Sequence, residues 1–264
     1  FIELKADEGA EYDEHEHINL SELEPLIAQP SSPGNVVPVS DIAGTKAHQV
    51  CVGSSVNSGF EDLAVVAAVL KDKTVAPELV MTVTPGSRQI LASIARTGGY
   101  ADLVRAGARM LEPACGPCVG MGQAPPSDSV SVRTFNRTFP GRSGTQDDHV
   151  YLCSPPTAAA TALYGVITDP RELGDYPDLD EAPRDPAVDD SQILEPAPED
   201  EAGGIEIPRG PNIHEPPEPP ELPDELTGRV TIVLPDNIST GDLSPDGVEV
   251  MAFRSNIPEL AKYT

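Results

Sequence analysis

Long apolar runs are missing from this chain, and no uninterrupted 18-residue stretch is available for a membrane-spanning helix. No basic segment followed by a short apolar core is present either, so no secretory signal is visible. Positive charge is scarce: 17 Lys and Arg stand against 43 Asp and Glu, for a formal net charge of −26. Nucleic acid and anionic membrane are therefore excluded as partners, since phosphate binding needs clustered cations. Lysine is the scarcer cation, with five residues to twelve arginines. Such a balance predicts either an acidic surface of the kind kept soluble in high salt or one acidic linker that inflates the total. Cysteine is limited to positions 51, 115, 118 and 153. Four cysteines, two of them in Cys-x-x-Cys, predict a reducing, cytoplasmic setting and a metal or redox site rather than a disulfide framework.

What is present has three textures. Residues 1–168 alternate apolar runs with helical periods after an acidic, Pro-rich lead-in of about forty residues. Residues 169–225 are rich in Pro, Asp and Glu and predict a stiff, self-repelling linker. At 226 a β pattern resumes, predicting the start of a second domain over 226–264. A first residue of Phe rather than Met adds the expectation of a piece of a longer polypeptide.

Within the first segment the candidate strands are "HQVCVG", "ELVMTVTP", "ARMLEP", "SVSVRTFN" and "HVYLCSP". The candidate helices are 59–72 capped by Ser58, 87–97 capped by Ser87 and stopped at Gly98, 100–108, and 157–166 entered through Pro155 and Pro156. Strands that are nearly continuously apolar and β-branched suit a parallel sheet covered on both faces. The prediction is an α/β fold, a three-layer doubly wound mostly parallel sheet. Its working loops, 53–58, 84–87, 114–122 and 136–145, should converge at the carboxyl edge.

Two constellations carry chemistry. In "PACGPCVG" the small residues between and beside Cys115 and Cys118 let the backbone fold tightly, so that both sulfurs face one centre. Taken alone the motif is open among zinc, iron–sulfur and thiol–disulfide chemistry. In "FNRTFPGR", Arg137 and Arg142 with Asn136 beside them form a loop able to clamp the carboxylates of a small di- or tricarboxylic acid. His15 and His17 share a face if that stretch is extended, but no third ligand lies nearby and a solvated acidic segment is the expectation.

Five ordered motifs, "VGSSVNSGFEDL", "TVTPGSRQILASI", "PACGPCVG", "FNRTFPGR" and "YLCSPPTAAATAL", resemble the third domain of the aconitase family, which includes homoaconitase and isopropylmalate isomerase. "DNISTGDLSPDGVEVMAFRSNIP" resembles the opening of that family's swivelling C-terminal β/α domain. The resemblance implies a hydro-lyase interconverting citrate and isocitrate through cis-aconitate, with a [4Fe–4S] cluster as Lewis acid. The alternatives are homoaconitase, isopropylmalate isomerase, or a cluster-less binding protein. It further implies Cys115 and Cys118 as cluster ligands, Asn136, Arg137, Arg142 and Arg254 as substrate-binding residues, and the remaining domains of the same parent chain as partners. No residue here matches the family's catalytic base or acid, so this piece alone is expected to be inactive.

Two departures stand out. Where the family has its third cluster cysteine, "GSSVNS" places Ser55. Cys51, roughly 13 Å away along an extended strand, and Cys153 are the other candidates for the third ligand. In "STGDLSPDG", Gly241 and Asp242 replace the family's Asp-His pair.

Overall fold

The structure, a computed structural model, describes residues 2–179, 181–183, 188–238, 240–244 and 250–263. Its centre is one seven-stranded sheet: β1 (Leu26–Ala28), β2 (Val36–Pro38), β3 (Gln49–Gly53), β4 (Val80–Thr84), β5 (Arg109–Met110), β6 (Val130–Arg133) and β7 (His149–Leu152). The spatial order is β2-β1-β7-β6-β3-β4-β5. β7, β6, β3, β4 and β5 run parallel, while β1 is antiparallel to both β7 and β2. All five candidate strands are thus present and parallel. The lead-in contributes the antiparallel edge pair. β3 lies between β4 and β6, and every one of its residues is buried, which is why its sequence shows no polar alternation.

α1 (Phe60–Leu70), α2 (Arg88–Arg96), α3 (Gly99–Ala106) and α4 (Pro155–Tyr164) fill the connections after β3, β4 and β7. α1 packs on α2, α3 and α4, so all four share one face of the sheet. Val50, Val52, Met81, Val83 and Val132 point into that layer and form the main core with α1. The opposite face carries Gln49, Cys51, Ser131 and Arg133 and is covered by loops instead of helices. The expected doubly wound, three-layer arrangement is therefore corrected to one helical layer, among the described residues. The reason lies in the β5–β6 and β6–β7 connections. Glycine and proline at 116–126 and 140–144 allow only turns there.

Helix ends follow local chemistry. Ser87 caps α2, its hydroxyl accepting the Ile90 N–H at 3.1 Å, and Gly98 ends that helix in a left-handed conformation. Ser58 is not the cap of α1: Gly59 holds that place, and the Asp62 carboxylate accepts its N–H at 3.0 Å. α4 begins two residues earlier than expected because Pro155 and Pro156 are its first turn, capped by Ser154.

The charge is not spread over the folded domain. Residues 25–168 hold ten Asp and Glu and ten Lys and Arg, whereas 169–225 hold nineteen acidic residues and three arginines. A salt-adapted acidic surface is therefore not what the domain shows; the lead-in and the connector carry the excess. No described helix is long and apolar enough to cross a membrane.

Beyond 168 the regular elements are short: a 3₁₀ turn at Pro170–Leu173, α5 (Glu199–Ala202), α6 (Thr240–Leu243) and α7 (Ile257–Leu260). The strand expected near 229–234 does not form among the described residues, and Val230 is 83% exposed. A strand needs a ladder partner, and none of the described residues supplies one. Of the "STGDLSPDG" motif, Gly241 and Asp242 lie in α6, while Ser239 and 245–247 fall outside the described residues.

Asp169 caps the 3₁₀ turn that opens the connector. Its carboxylate accepts the Arg171 backbone N–H at 2.9 Å and the guanidinium Nε at 3.0 Å. The guanidinium hydrogen bond holds the carboxyl below its ordinary range, against the opposing effect of burial. A depressed folded pKa means the contribution is complete above the unfolded value of about 4 and is lost as pH falls through the folded value. Asp169→Ala is expected to lower stability by about 1–2 kcal/mol at neutral pH. Thermal melts should show that deficit closing in strong acid. A deficit undiminished in acid overturns the ion-pair account.

Candidate active site

The turn after β3 is shaped by three residues in left-handed conformations: Gly53 (φ +91°), Ser54 (φ +72°) and Asn57 (φ +50°). Gly53 is required sterically as well, because a Cβ there would sit 2.0 Å from the Thr84 carbonyl oxygen. The turn is tied to its neighbours by three hydrogen bonds. Ser54 N–H donates to Thr84 O at 2.8 Å, Gly53 N–H to Thr134 Oγ1 at 2.9 Å, and the Asn57 amide to Thr134 O at 2.5 Å. The Ser54 hydroxyl donates to Cys115 O at 2.9 Å, which docks the Cys-x-x-Cys loop on this turn. Ser55 stands exposed at the tip, with its Oγ 3.9 Å from the Cys118 Sγ.

After β5 the chain folds into a single 3₁₀ turn, Gly116–Val119, closed by Cys118 N–H donating to Cys115 O at 2.8 Å. No α-helix opens at the motif, which separates it from the helical dithiol geometry. Gly120 (φ +80°) lets this loop meet the next one backbone to backbone, since a Cβ there would lie 2.4 Å from Ser143 O. That approach brings Arg142 to the sulfur: its Nη2 donates to Cys118 Sγ at 3.4 Å, and its guanidinium lies over the Phe139 ring at 5.7 Å.

The electrostatics are asymmetric. Burial by itself pushes the Cys118 thiol up, but the hydrogen bond and charge of Arg142, with help from Cys115 and Ser55, bring it below its ordinary value. Cys115 moves the other way, raised by partial burial and by the neighbouring Cys118, with Arg142 opposing. Burial alone pushes Cys153 up.

Cys115, Cys118, Ser55 and Arg142 are therefore brought together from three loops at the carboxyl edge, as the strand pattern predicts. Asn136 and Arg137 are exposed on the same loop as Arg142. The two arginines are not equivalent: Arg142 is 8% exposed and engaged with the thiol, so no preformed symmetrical clamp exists. Arg254 lies apart, exposed in the turn before α7, where Ser255 O accepts from His214 N–H at 3.1 Å. Cys153 belongs to the helix-side core, on the other face of the sheet from the site. Cys51 is fully buried within β3, in a small cluster with Cys118 and Phe135. Among the described residues no three His, Cys, Asp or Glu side chains gather as a metal set, and His15 and His17 are exposed.

Sequence reasoning missed Arg133, Gln49 and Ser54. Arg133 is fully buried, held by Ser131, Gln49 and the Pro117 carbonyl. An arginine ending the β-branched run "VSVR" is the signal that could have found it, because its place in a central strand leaves no route to solvent.

Comparison with known proteins follows the same motifs. The model of the Aconitase family (aconitate hydratase) matches residues 40–165. A probable 3-isopropylmalate dehydratase large subunit of Methanosarcina mazei is 43% identical over 171 residues, covering 64% of this chain and 40% of that protein. The 3-isopropylmalate dehydratase large subunit 2 of Archaeoglobus fulgidus is 40% identical over 174 residues, covering 66% and 42%. The homoaconitase large subunit of Thermus thermophilus is 41% identical over 172 residues, covering 64% and 41%. The chain thus spans less than half the length of these relatives. The parallel sheet, the ordered loops at its carboxyl edge and these matches agree: residues 40–165 form a domain of the aconitase-family type.

Proposed function

We propose that this chain is the loop-bearing domain of a hydro-lyase that dehydrates and rehydrates a 2-hydroxy di- or tricarboxylic acid. The convergence of Cys115, Cys118, Ser55 and Arg142 at one sheet edge carries the reading. The names of the relatives favour a substrate of the isopropylmalate or homoaconitate kind over the citrate and isocitrate expected from the motifs.

The donor set fits an iron–sulfur cluster held by two sulfurs and one oxygen. Two cysteines share a 3₁₀ turn, and the Ser55 hydroxyl, 3.9 Å from the Cys118 sulfur, supports Ser55 as the third donor over Cys51 or Cys153. Bound there, a [4Fe–4S] cluster supplies a Lewis-acidic iron that makes the substrate hydroxyl a better leaving group. Cys115 and Cys118 would hold it, with Arg142 stabilising the Cys118 thiolate. Arg137, exposed on its loop, receives the distal carboxylate, and Asn136 donates from its amide. Arg142 fixes the proximal carboxylate from its buried place beside the sulfur. Arg254 is assigned to the start of the swivel domain, 226–264, which brings it to the substrate in the full-length enzyme. None of the described residues at the site is placed to take a proton from carbon, so turnover belongs to the full-length enzyme with its remaining domains.

Iron and acid-labile sulfide are to be measured in anaerobically prepared full-length protein, with Ser55→Ala and Ser55→Cys beside it. The expected result is about four irons in the parent, loss of one or more in Ser55→Ala, and full retention in Ser55→Cys. Dehydration of isopropylmalate, homocitrate and citrate, followed by absorbance of the unsaturated acid, assigns the substrate. A parent without iron that gains a full cluster only in Ser55→Cys sinks the hydro-lyase reading in favour of a binding protein.

A further inference from the structure

We propose that Arg133 is a positioning residue for the Cys-x-x-Cys loop: its buried guanidinium clamps the Pro117 carbonyl and thereby sets where the Cys118 sulfur stands. Arg133 ends β6 and is 0% exposed. Burying a guanidinium is costly, and an apolar side chain would fill the same place without that cost. What an apolar side chain cannot supply is a rigid fork with donors aimed in different directions.

Each arm of the fork has a separate task. Nε donates to Ser131 Oγ at 2.8 Å, and Nη2 donates to Gln49 Oε1 at 2.8 Å. Ser131 Oγ also donates to that same Gln49 oxygen, at 2.6 Å. The inner side of the guanidinium is therefore locked by two adjacent strands, β6 and β3, which leaves it one orientation. Nη1 is the arm that leaves the sheet, and it donates to Pro117 O at 2.7 Å. Pro117 lies between the two cysteines and immediately precedes Cys118. Gln49 reaches the same loop further on, its Nε2 donating to Ala124 O at 3.3 Å. A polar pair on the sheet face thus grips the loop at two points, between the thiols and beyond them.

The acceptors of Arg133 are all neutral. Asp148 feels its charge, but no hydrogen bond joins the two among the described residues, and the Asp148 Oδ2 is buried without a partner. The Phe135 ring, 5.3 Å from the guanidinium carbon, closes the remaining side. The arrangement serves direction rather than charge pairing, and the direction is toward the loop. Its bearing on catalysis rests on the hydro-lyase reading above; its bearing on the thiols does not.

The test uses iron-free, reduced full-length protein, with the parent compared to Arg133→Met and Arg133→Lys. Each is treated with iodoacetamide under native conditions, and labelling is read cysteine by cysteine by mass spectrometry. In the parent, exposed Cys115 labels readily while Cys118, at 2% exposure, is protected. Arg133→Met is expected to raise Cys118 labelling about tenfold or more through local opening of the loop. Cys51 and Cys153, held in the sheet and core, should stay protected. Arg133→Lys, whose ammonium can still reach one carbonyl, should recover most of the protection. Unchanged Cys118 labelling in Arg133→Met overturns the proposal. So does a joint rise at Cys51, Cys118 and Cys153, which would make Arg133 an ordinary core residue. Should Arg133→Met not fold, Gln49→Met removes the acceptor that aims the fork. Selective exposure of Cys118 then supports the proposal, and uniform protection overturns it. None of these readings depends on iron, so a cluster-free outcome of the iron assay leaves them standing.

Discussion

Gly53→Ala is expected to destabilise the protein by about 3 kcal/mol, the sum of forcing an L-residue to positive φ and driving a methyl into packed backbone. The added Cβ would lie 2.0 Å from the Thr84 carbonyl oxygen and 3.0 Å from its carbon. Both atoms are backbone at the carboxyl ends of the two strands, in the last pair of a ladder that runs from Gln49↔Val80 to Gly53↔Thr84, and the Ser54 N–H donates to the same carbonyl, so neither can swing aside. Gly98→Ala is the control. Gly98 has nearly the same φ, +89°, but nothing lies within 4 Å of the methyl that alanine would add there. Only the backbone term remains, about 1 kcal/mol. Urea midpoints for the two variants separate the terms. Equal losses would show that the close approach of β3 to the Thr84 carbonyl is not a constraint. The same substitution at Gly53 should disturb the site, because Ser54 and Ser55 follow directly and Ser54 holds the Cys115 carbonyl.

Under the proposed hydro-lyase function, Arg142→Met should lower kcat/KM of the full-length protein by about a thousandfold, comparable with removing a preorganised donor aimed at developing charge. Arg142 is the cation that touches the thiol, 8% exposed and 3.4 Å from Cys118 Sγ. Its charge therefore acts in a poorly hydrated place, where one interaction is strong. Arg137→Met removes an exposed guanidinium and should act mainly on KM, by about tenfold. Arg142→Lys keeps the charge but loses the fork, and should recover only part of the loss. The ranking is checked by steady-state kinetics at matched iron content. An Arg142→Met enzyme within about threefold of the parent, at full iron, removes Arg142 from the substrate site.

Much of the fold was legible because central parallel strands carry their own signature. "QVCVG", "VMTVT" and "VSVR" are apolar or β-branched nearly throughout, and each became a strand within a few residues of its expected bounds. The layering was less legible. Whether a helix or a loop covers a sheet face depends on connections such as 111–129, whose composition says turn but not where the turn lies. The α1 cap was misplaced by one residue because Ser58 and Gly59 are both competent caps. The Asp62 carboxylate, three residues into the helix, decided it.

For this protein the sequence by itself determined the chemistry on offer: two thiols in Cys-x-x-Cys, a serine where the resembling family has a third cysteine, two arginines in a Gly/Pro loop, and an alternation of strands and helices that puts each of those loops after a strand. Each of these is a local property, set by residue type and spacing. Only the tertiary structure decided which groups meet. It put Arg142 rather than Arg137 on Cys118, set Cys153 on the far face of the sheet, and left Ser55 Oγ beside the sulfur. It also revealed Arg133, whose three acceptors come from positions 49, 117 and 131. Such meetings are fixed by sheet register and by backbone approaches at Gly53 and Gly120. Those are distances between segments far apart in sequence, and no local pattern encodes them.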